Sequence, residues 1–346
     1  MITFGPLLNT TQFPGWSPAD VLDAALSYAD AAESLGYERL WITEHHFIPV
    51  GVCSSAITLA GFILGRTKRI RVGTAICPLP LYHPLQLAQE SALLDQVSDG
   101  RFDFGVGKGG FRPDLETFNI AGDTLGSRME EGIEILIQAW TQESVAAAGQ
   151  FARFPAVGLN PPPRTTPHVP LYIAGSAPAT VELAARHGAS MMIGFGSDEV
   201  AMAAQVGRYR ELSRHSGHDP DAATHACTLL TSIADSAEEA RSRVQQNLAW
   251  FLATASRYSG SARAQPLERA PSALAPEAHI SAHLAQLFDR QLIGTPAQCV
   301  ARIREIVAHT GIHHFILLFE GAADRERTIE NLERFARDVM PTIGAM

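Results

Sequence analysis

Tyr37-Glu38-Arg39-Leu40-Trp41-Ile42-Thr43-Glu44-His45-His46-Phe47 decides how the rest of this chain is read. Strand-forming side chains from Leu40 to Thr43 run straight into three ionisable groups and an aromatic. That is the pattern of a buried strand delivering chemistry to the mouth of a pocket. On both sides of it, short apolar runs alternate with longer helix-periodic segments, which specifies parallel β/α units. The expected fold is therefore α/β: a (β/α)8 TIM barrel forming one domain over 1–346, with Glu44 and His45 at the carboxyl end of strand two. Strand tips at that rim tend to be chemical, and those at the opposite rim structural.

Working outward, residues 2 to 9 read as strand one, and Ser17-Pro18 opens a helix that Gly36 stops. Strand three covers 70 to 76, a helix runs from His83-Pro84 to Val97, and Asp99-Gly100 turns into strand four, Phe102 to Val106. Leu171 to Ala174, Ser190 to Ile193, Thr224 to Ile233 and His313 to Phe319 supply strands five to eight, and a helix from Asp324 to Met340 closes the chain. Insertions are expected after strands 4, 5 and 7. The last of these, at about 256–292, is rich in Ser, Ala, Pro and Arg and is expected to be a mobile lid on the rim that carries Glu44 and His45.

Two stretches look built for a ligand. Gly105-Val106-Gly107-Lys108-Gly109-Gly110 has the spacing G-x-G-x-x-G, but a dinucleotide fingerprint must open a helix at once. Here Phe111-Arg112-Pro113-Asp114 follows, and helical periodicity resumes only near Ser127. The glycines read instead as a surface without side chains for a planar ligand, with Lys108 placed for an anion. After strand five, Gly175-Ser176 leads into a helix from Pro178 to His187, whose free N–H groups and dipole lie beside the hydroxyls of Ser176 and Thr180. This outlines a phosphate cradle, with simple N-capping by Ser176 as the structural alternative.

Composition narrows the partners. A net charge of -9 over 346 residues, with no basic cluster, argues against nucleic acid and leaves small molecules as the expected ligands. Cys53, Cys77, Cys227 and Cys299 lie far apart, so neither a disulfide framework nor a metal site is expected, which fits a reducing cytoplasm. The chain opens directly into Ile2-Thr3-Phe4-Gly5, and no run of about 18 apolar residues occurs, so no export signal or membrane span is expected.

Glu44-His45-His46-Phe47, the run from Leu93 to Gly105, Ile293-Gly294-Thr295-Pro296, Thr310-Gly311-Ile312 with Phe319-Glu320, and Asp338-Val339-Met340-Pro341 follow one another in an order that resembles the bacterial luciferase-like, flavin-dependent monooxygenases. The resemblance covers nearly the whole chain. It implies reduced FMN at the carboxyl rim, supplied by a separate flavin reductase, and O2 as co-substrate. A flavin C4a-hydroperoxide would then oxygenate a small organic substrate, an aldehyde or ketone or a natural-product intermediate. It also implies a dimer through barrel helices, most simply a homodimer. By the same resemblance His45 lies close to the flavin and serves the oxygen chemistry. Lys108, Ser176 and Thr180 hold the phosphate, and Ala75-Ile76 falls where luciferases have a cis non-prolyl bond under the ring. The sequence departs from the light-emitting subunit at Gly107, where that subunit has a reactive cysteine, at Gly175, where it has a glutamate, and at Phe195, a position usually tryptophan. Flavin oxygenation is expected; bioluminescence is not.

The residues themselves ask for the same things. Oxygen chemistry of this kind needs an apolar slot, one titratable group and exclusion of water. Phe4, Ile76, Phe104, Phe195 and Trp250 are candidates for the slot, His45 is the titratable group, and Glu44 is a candidate to orient it or to pair with an arginine. His46 reads as structural. Rival readings are an F420-dependent oxidoreductase of the same barrel type, which needs more basic residues than Lys108 and Arg112, a metal-dependent hydrolase built on His45, His46 and His313 or His314, and a non-catalytic flavin-binding subunit.

Overall fold

Parallel strands Thr3–Leu8, Arg39–Ile42, Arg71–Thr74, Phe102–Gly107, Leu171–Ala174, Ser190–Ile193, Ala226–Ile233 and His314–Leu318 form the centre of the computed structural model, which describes residues 1–259, 284 and 287–344. Each pairs with the next, and His314 lies opposite both Ala226 of the seventh strand and Thr3 of the first. The ring is therefore closed, and helices cover its outer surface. The strands are buried on both faces, so they read as nearly continuous apolar runs.

Local chemistry sets the helix ends. Ser17 and Asp20 form a capping box at the start of helix Pro18–Ser34, and Thr295 and Gln298 form another at helix Pro296–Thr310. Gly311 ends that second helix at φ 69, a left-handed conformation in which a Cβ is strained.

Several expectations are corrected. The insertion expected after strand five is absent: three residues, 175 to 177, join Leu171–Ala174 to helix Pro178–Arg186. The hairpin or loop insertion that Phe151, Phe154 and Pro161-Pro162-Pro163 mark before strand five is an antiparallel hairpin of Val145–Ala148 with Arg153–Val157. Helicity returns after strand four sooner than near Ser127, in helix Arg112–Thr117, because Pro113 occupies the first turn, where its missing N–H costs nothing. The sequence after strand seven, Ser236 to about Phe251, has the period of one helix, and the structure forms two, Ala237–Ser242 and Gln245–Tyr258. Short strand Leu292–Gly294 pairs with the far end of strand seven. Most of the lid expected at 256–292 lies outside the described residues; of the rest, Leu284, Leu287 and Phe288 are buried.

Phe4 and Phe104 do not face the barrel interior. Phe4 packs on Phe315 and Phe335 with ring centroids 5.7 and 5.1 Å away, and Phe104 packs on Phe102 and Trp140, so both belong to the layer between strands and helices. The interior is filled by Leu7, Trp41, Tyr172, Met192 and Ile316.

Below that apolar layer lies a polar plug. Asp103 accepts from Arg39 and Arg71, both at 2.6 Å, and Arg39 also donates to the Tyr172 hydroxyl at 2.9 Å. The Trp41 indole N–H donates to Nε2 of His314 at 2.9 Å. Because indole can only donate, the His314 proton sits on Nδ1 and is shared with Thr3 Oγ1 at 2.7 Å. Burial, and then the Arg39 charge, hold the His314 imidazole well below its ordinary value, so it is neutral.

Removing the carboxylate should expose the cost of this arrangement. Asp103→Asn leaves two guanidiniums facing one another and is expected to lower unfolding free energy by about 3 kcal/mol in urea titrations. A loss below about 1 kcal/mol would show that water already screens the pair.

Candidate active site

The carboxyl tip of strand two is braced from behind. Glu44, 5% exposed, accepts from the Tyr82 hydroxyl at 2.6 Å, from His46 Nε2 at 3.1 Å and from the backbone N–H of Ala56 at 2.8 Å, at the start of helix Ala56–Arg66. The expected pairing of Glu44 with His45 or with an arginine is therefore replaced: its partners are His46, Tyr82 and a helix N-terminus, where a carboxylate is favoured. Burial and then the Glu44 charge push the Tyr82 phenol up, so it remains a donor at ordinary pH. Burial pulls the His46 imidazole down, but the hydrogen bond and charge of Glu44, with Asp114, outweigh it and the net shift is upward.

His45 is half-buried. Its backbone N–H is fixed by the carbonyl of Cys53 at 2.9 Å, while its ring meets the edge of Phe111 at a centroid distance of 5.3 Å. Its ring has no hydrogen-bond partner among the described residues. Burial, and then the neighbouring His46, push its imidazole down to about 4, so it is neutral near pH 7 and able to accept a proton.

Phe111 leads onward into an apolar surface. With Phe195 and Leu252 it packs against Phe13, Ile48, Val50, Trp250 and Phe251. Phe195 and Leu252 also lie, with Ala75, Ile76 and Ala174, against the top of the barrel interior. Of the slot residues expected from sequence, Ile76, Phe195 and Trp250 are thus at this rim. The Phe195 carbonyl accepts from Gln291 Nε2 at 3.0 Å, which pins that strand tip. The Ala75-Ile76 peptide bond is cis. A Cβ on Gly107 would come within 3.0 Å of Ile76 and 3.5 Å of Ala174, so only glycine leaves the Ile76 side chain undisturbed.

From Ala174 the surface continues into a cleft of about 320 Å³ lined by Lys108, Gly126, Thr180, Leu183 and Arg186 and also by the carboxylates Glu130 and Glu182. Arg186 is paired with Glu130 there. Lys108 and Thr180 are thus brought together. Ser176 is exposed and does not cap the helix: the N-cap of Pro178–Arg186 is Ala177, with no side-chain hydrogen bond. Pro178 has no N–H and the Thr180 N–H donates to the Ala177 carbonyl at 2.9 Å, so of the first turn only the Ala179 N–H is left for a ligand or water. Gly175 sits at φ 140, against Thr180, where a glutamate side chain would be strained.

Sequence reading missed four participants: Tyr82, Phe111, Asp114 and Arg186. Asp114 is buried, one of its carboxylate oxygens lacks a partner, and burial first, with His46 and Glu44 acting in opposite directions, pushes it up to about 6. Its only sequence signal was its place just after the glycine run. Among the described residues no group of three His, Cys, Asp or Glu side chains could hold a metal, and no helix is long and apolar enough to cross a membrane.

Comparison with known proteins agrees with this fold. The family model for luciferase-like monooxygenases matches residues 2–314. The alkanal monooxygenase alpha chain of the Kryptophanaron alfredi symbiont is 26% identical over 98% of this chain and 97% of its own length. The 4-hydroxyprotoasukamycin monooxygenase of Streptomyces nodosus subsp. asukaensis is 29% identical over 98% and 92%. Among solved structures, monooxygenase RslO1 from Streptomyces bottropensis has a TM-score of 0.86 at 24% identity, with 99% of each chain covered. The oxygenating constituent of 3,6-diketocamphane monooxygenase from Pseudomonas putida, in complex with FMN, has 0.78 at 20%, with 99% of each covered. An F420-dependent secondary alcohol dehydrogenase has 0.77 at 20%, again with 99% of each covered. The fold is common to all three, and the family match spans most of the sequence: this chain belongs to the luciferase-like monooxygenases, which are flavin-dependent oxidoreductases.

Proposed function

We propose that the chain is the oxygenating component of a two-component monooxygenase that takes reduced FMN from a separate reductase in the cytoplasm and oxygenates a small apolar substrate, an aldehyde or ketone or a natural-product intermediate. The observation that carries this reading is the continuity of one surface, from a neutral imidazole at His45, across Phe111, Phe195, Ile76 and Ala174, to the cleft with Lys108 and Thr180.

The residues fit FMN. The apolar run offers a place for a flat ring, Gly107 and Gly175 keep side chains off it, and the uncapped helix Pro178–Arg186 with Lys108 and Thr180 suits a phosphate. Reduced FMN, when bound, supplies the electrons with which O2 is divided between product and water. The chain's share is to hold that reaction dry and to manage a proton. Phe111, Phe195 and Trp250 exclude water, which strengthens every polar interaction inside. His45 Nε2 or Nδ1 accepts a proton from the reacting oxygen and returns it, a role that requires the neutral ring found here.

The F420 alternative is weaker on charge. A longer polyanionic tail would lie in a cleft where Lys108 and Arg186 are offset by Glu130 and Glu182. A dimer is also proposed. Phe62, Leu93 and Val97 are 58, 50 and 70% exposed on helices Ala56–Arg66 and Pro84–Val97, which touch where Gly61 meets Leu94, and relatives of this chain are named as alpha and beta chains. A second copy of this chain is the occupant that such an apolar face suits.

Three measurements test these statements. His45→Ala is expected to keep reduced-FMN binding while product formation falls roughly a hundredfold or more; unchanged turnover sinks the assignment. Lys108→Ala should weaken FMN by about tenfold or more and riboflavin hardly at all, as expected for loss of a charge-assisted contact; equal losses would place Lys108 away from the phosphate. Light scattering should give a dimer for the wild type and a monomer for Val97→Asp, and a wild-type monomer at micromolar concentration would refute the dimer.

A further inference from the structure

Glu320 lies just past strand eight, buried, and takes no part in the chemistry described above. Its carboxylate accepts from three successive backbone N–H groups on the loop after strand one: Asn9 at 2.9 Å, Thr10 at 3.2 Å and Thr11 at 3.2 Å. Thr10 is held at φ 54, a left-handed conformation unusual for a β-branched residue. Successive N–H groups turned inward in this way form an anion-binding concavity, and Glu320 fills it from within the protein.

The same loop grips the segment that faces His45. Asn9 Nδ2 donates to the Val50 carbonyl at 2.8 Å, Val52 N–H donates to Thr10 O at 2.9 Å, and Cys53 N–H donates to Thr10 Oγ1 at 3.2 Å. Cys53 in turn accepts from the backbone of His45 at 2.9 Å. Gly51, inside this segment, is pressed against the imidazole: a Cβ there would lie 2.6 Å from His45 Cδ2 and 2.7 Å from the Asn9 carbonyl oxygen.

We propose that Glu320 is a positioning residue for His45, acting through the Asn9–Thr11 loop and the Val50–Cys53 segment, with Gly51 as the surface on which the imidazole rests. The proposal rests on the oxygenation reading only for its effect on turnover; the placement of the ring is a property of the protein without ligand. Burial pushes the Glu320 carboxyl up to about 7 against the pull of the three N–H groups, so above that pH it is an acceptor only, and glutamine cannot replace it because one of its two terminal atoms is an N–H donor that would face another N–H. The loop then loses an anchor, the 50–53 segment relaxes, and the His45 ring gains freedom and water.

The test follows the His45 ring directly. Histidine NMR of the ligand-free protein at pH 8, where Glu320 is ionised, is expected to give one sharp His45 ring signal, assigned with His45→Ala, with cross-relaxation to the Phe111 ring. In Glu320→Gln that signal should broaden or split and lose its cross-relaxation to Phe111 as the ring gains freedom. In the same variant product formation should fall roughly 10- to 100-fold, as for a reacting group displaced by about an ångström, while the dissociation constant for reduced FMN stays within about twofold. Gly51→Ala acts on the ring from the near end without touching the carboxylate, and should give the same two signatures if Glu320→Gln proves too unstable to measure. A wild-type His45 ring signal in both variants, or a loss of flavin binding equal to the loss of turnover, overturns the proposal. Absence of product from the wild type itself would instead count against the oxygenation reading and leave the NMR test standing.

Discussion

One carboxylate between two guanidiniums fixes where chemistry can occur in this molecule. Asp103 draws Arg39 and Arg71 together at the amino end of the barrel, Tyr172 adds its hydroxyl, and the Trp41–His314–Thr3 chain lies among them. Removing those charges from water is costly, and the cost is offset only because each polar atom has a partner. The plug and the apolar layer above it close the interior from below. A ligand can therefore reach the strands only from the carboxyl rim, where the tips of strands two to six present His45, the cis Ala75-Ile76 bond, Lys108, Ala174 and Phe195.

Much of this was legible in the sequence because local signals agreed with the global pattern. Capping residues at Ser17 and Thr295, the Asp99-Gly100 turn and the apolar periods put strands and helices within a few residues of their places. What failed was the choice of face. In a strand buried on both sides every residue is apolar, so nothing in the sequence tells an inward side chain from an outward one. Phe4 and Phe104 accordingly read as slot and as ordinary barrel core alike, and the structure packs both under the helices. The partner of Glu44 was illegible for a related reason: Tyr82 and Ala56 are brought to it only by closure of the ring.

The long segment resembling the luciferases, Leu93 to Gly105, turns out to be largely architectural. Asp95, fully buried, accepts from the backbone of Arg164 and Thr165 and so holds the proline-rich approach to strand five. Arg101 reaches the carbonyls of Leu64, Thr67 and Ile70 and ties off the preceding helix. A stretch that identifies the family thus speaks to how the barrel is built, whereas the few positions that touch a ligand are scattered over loops.

Phe111, Phe195 and Leu252, which wall the slot, belong to connections and a covering helix, while His45 is held through its backbone by Cys53, in the segment gripped by the loop that Glu320 holds. Appetite for a particular compound and competence for the reaction are consequently written in separate places. Selection, natural or in the laboratory, can resculpt the first by changing the bulk of three side chains and leave the second intact.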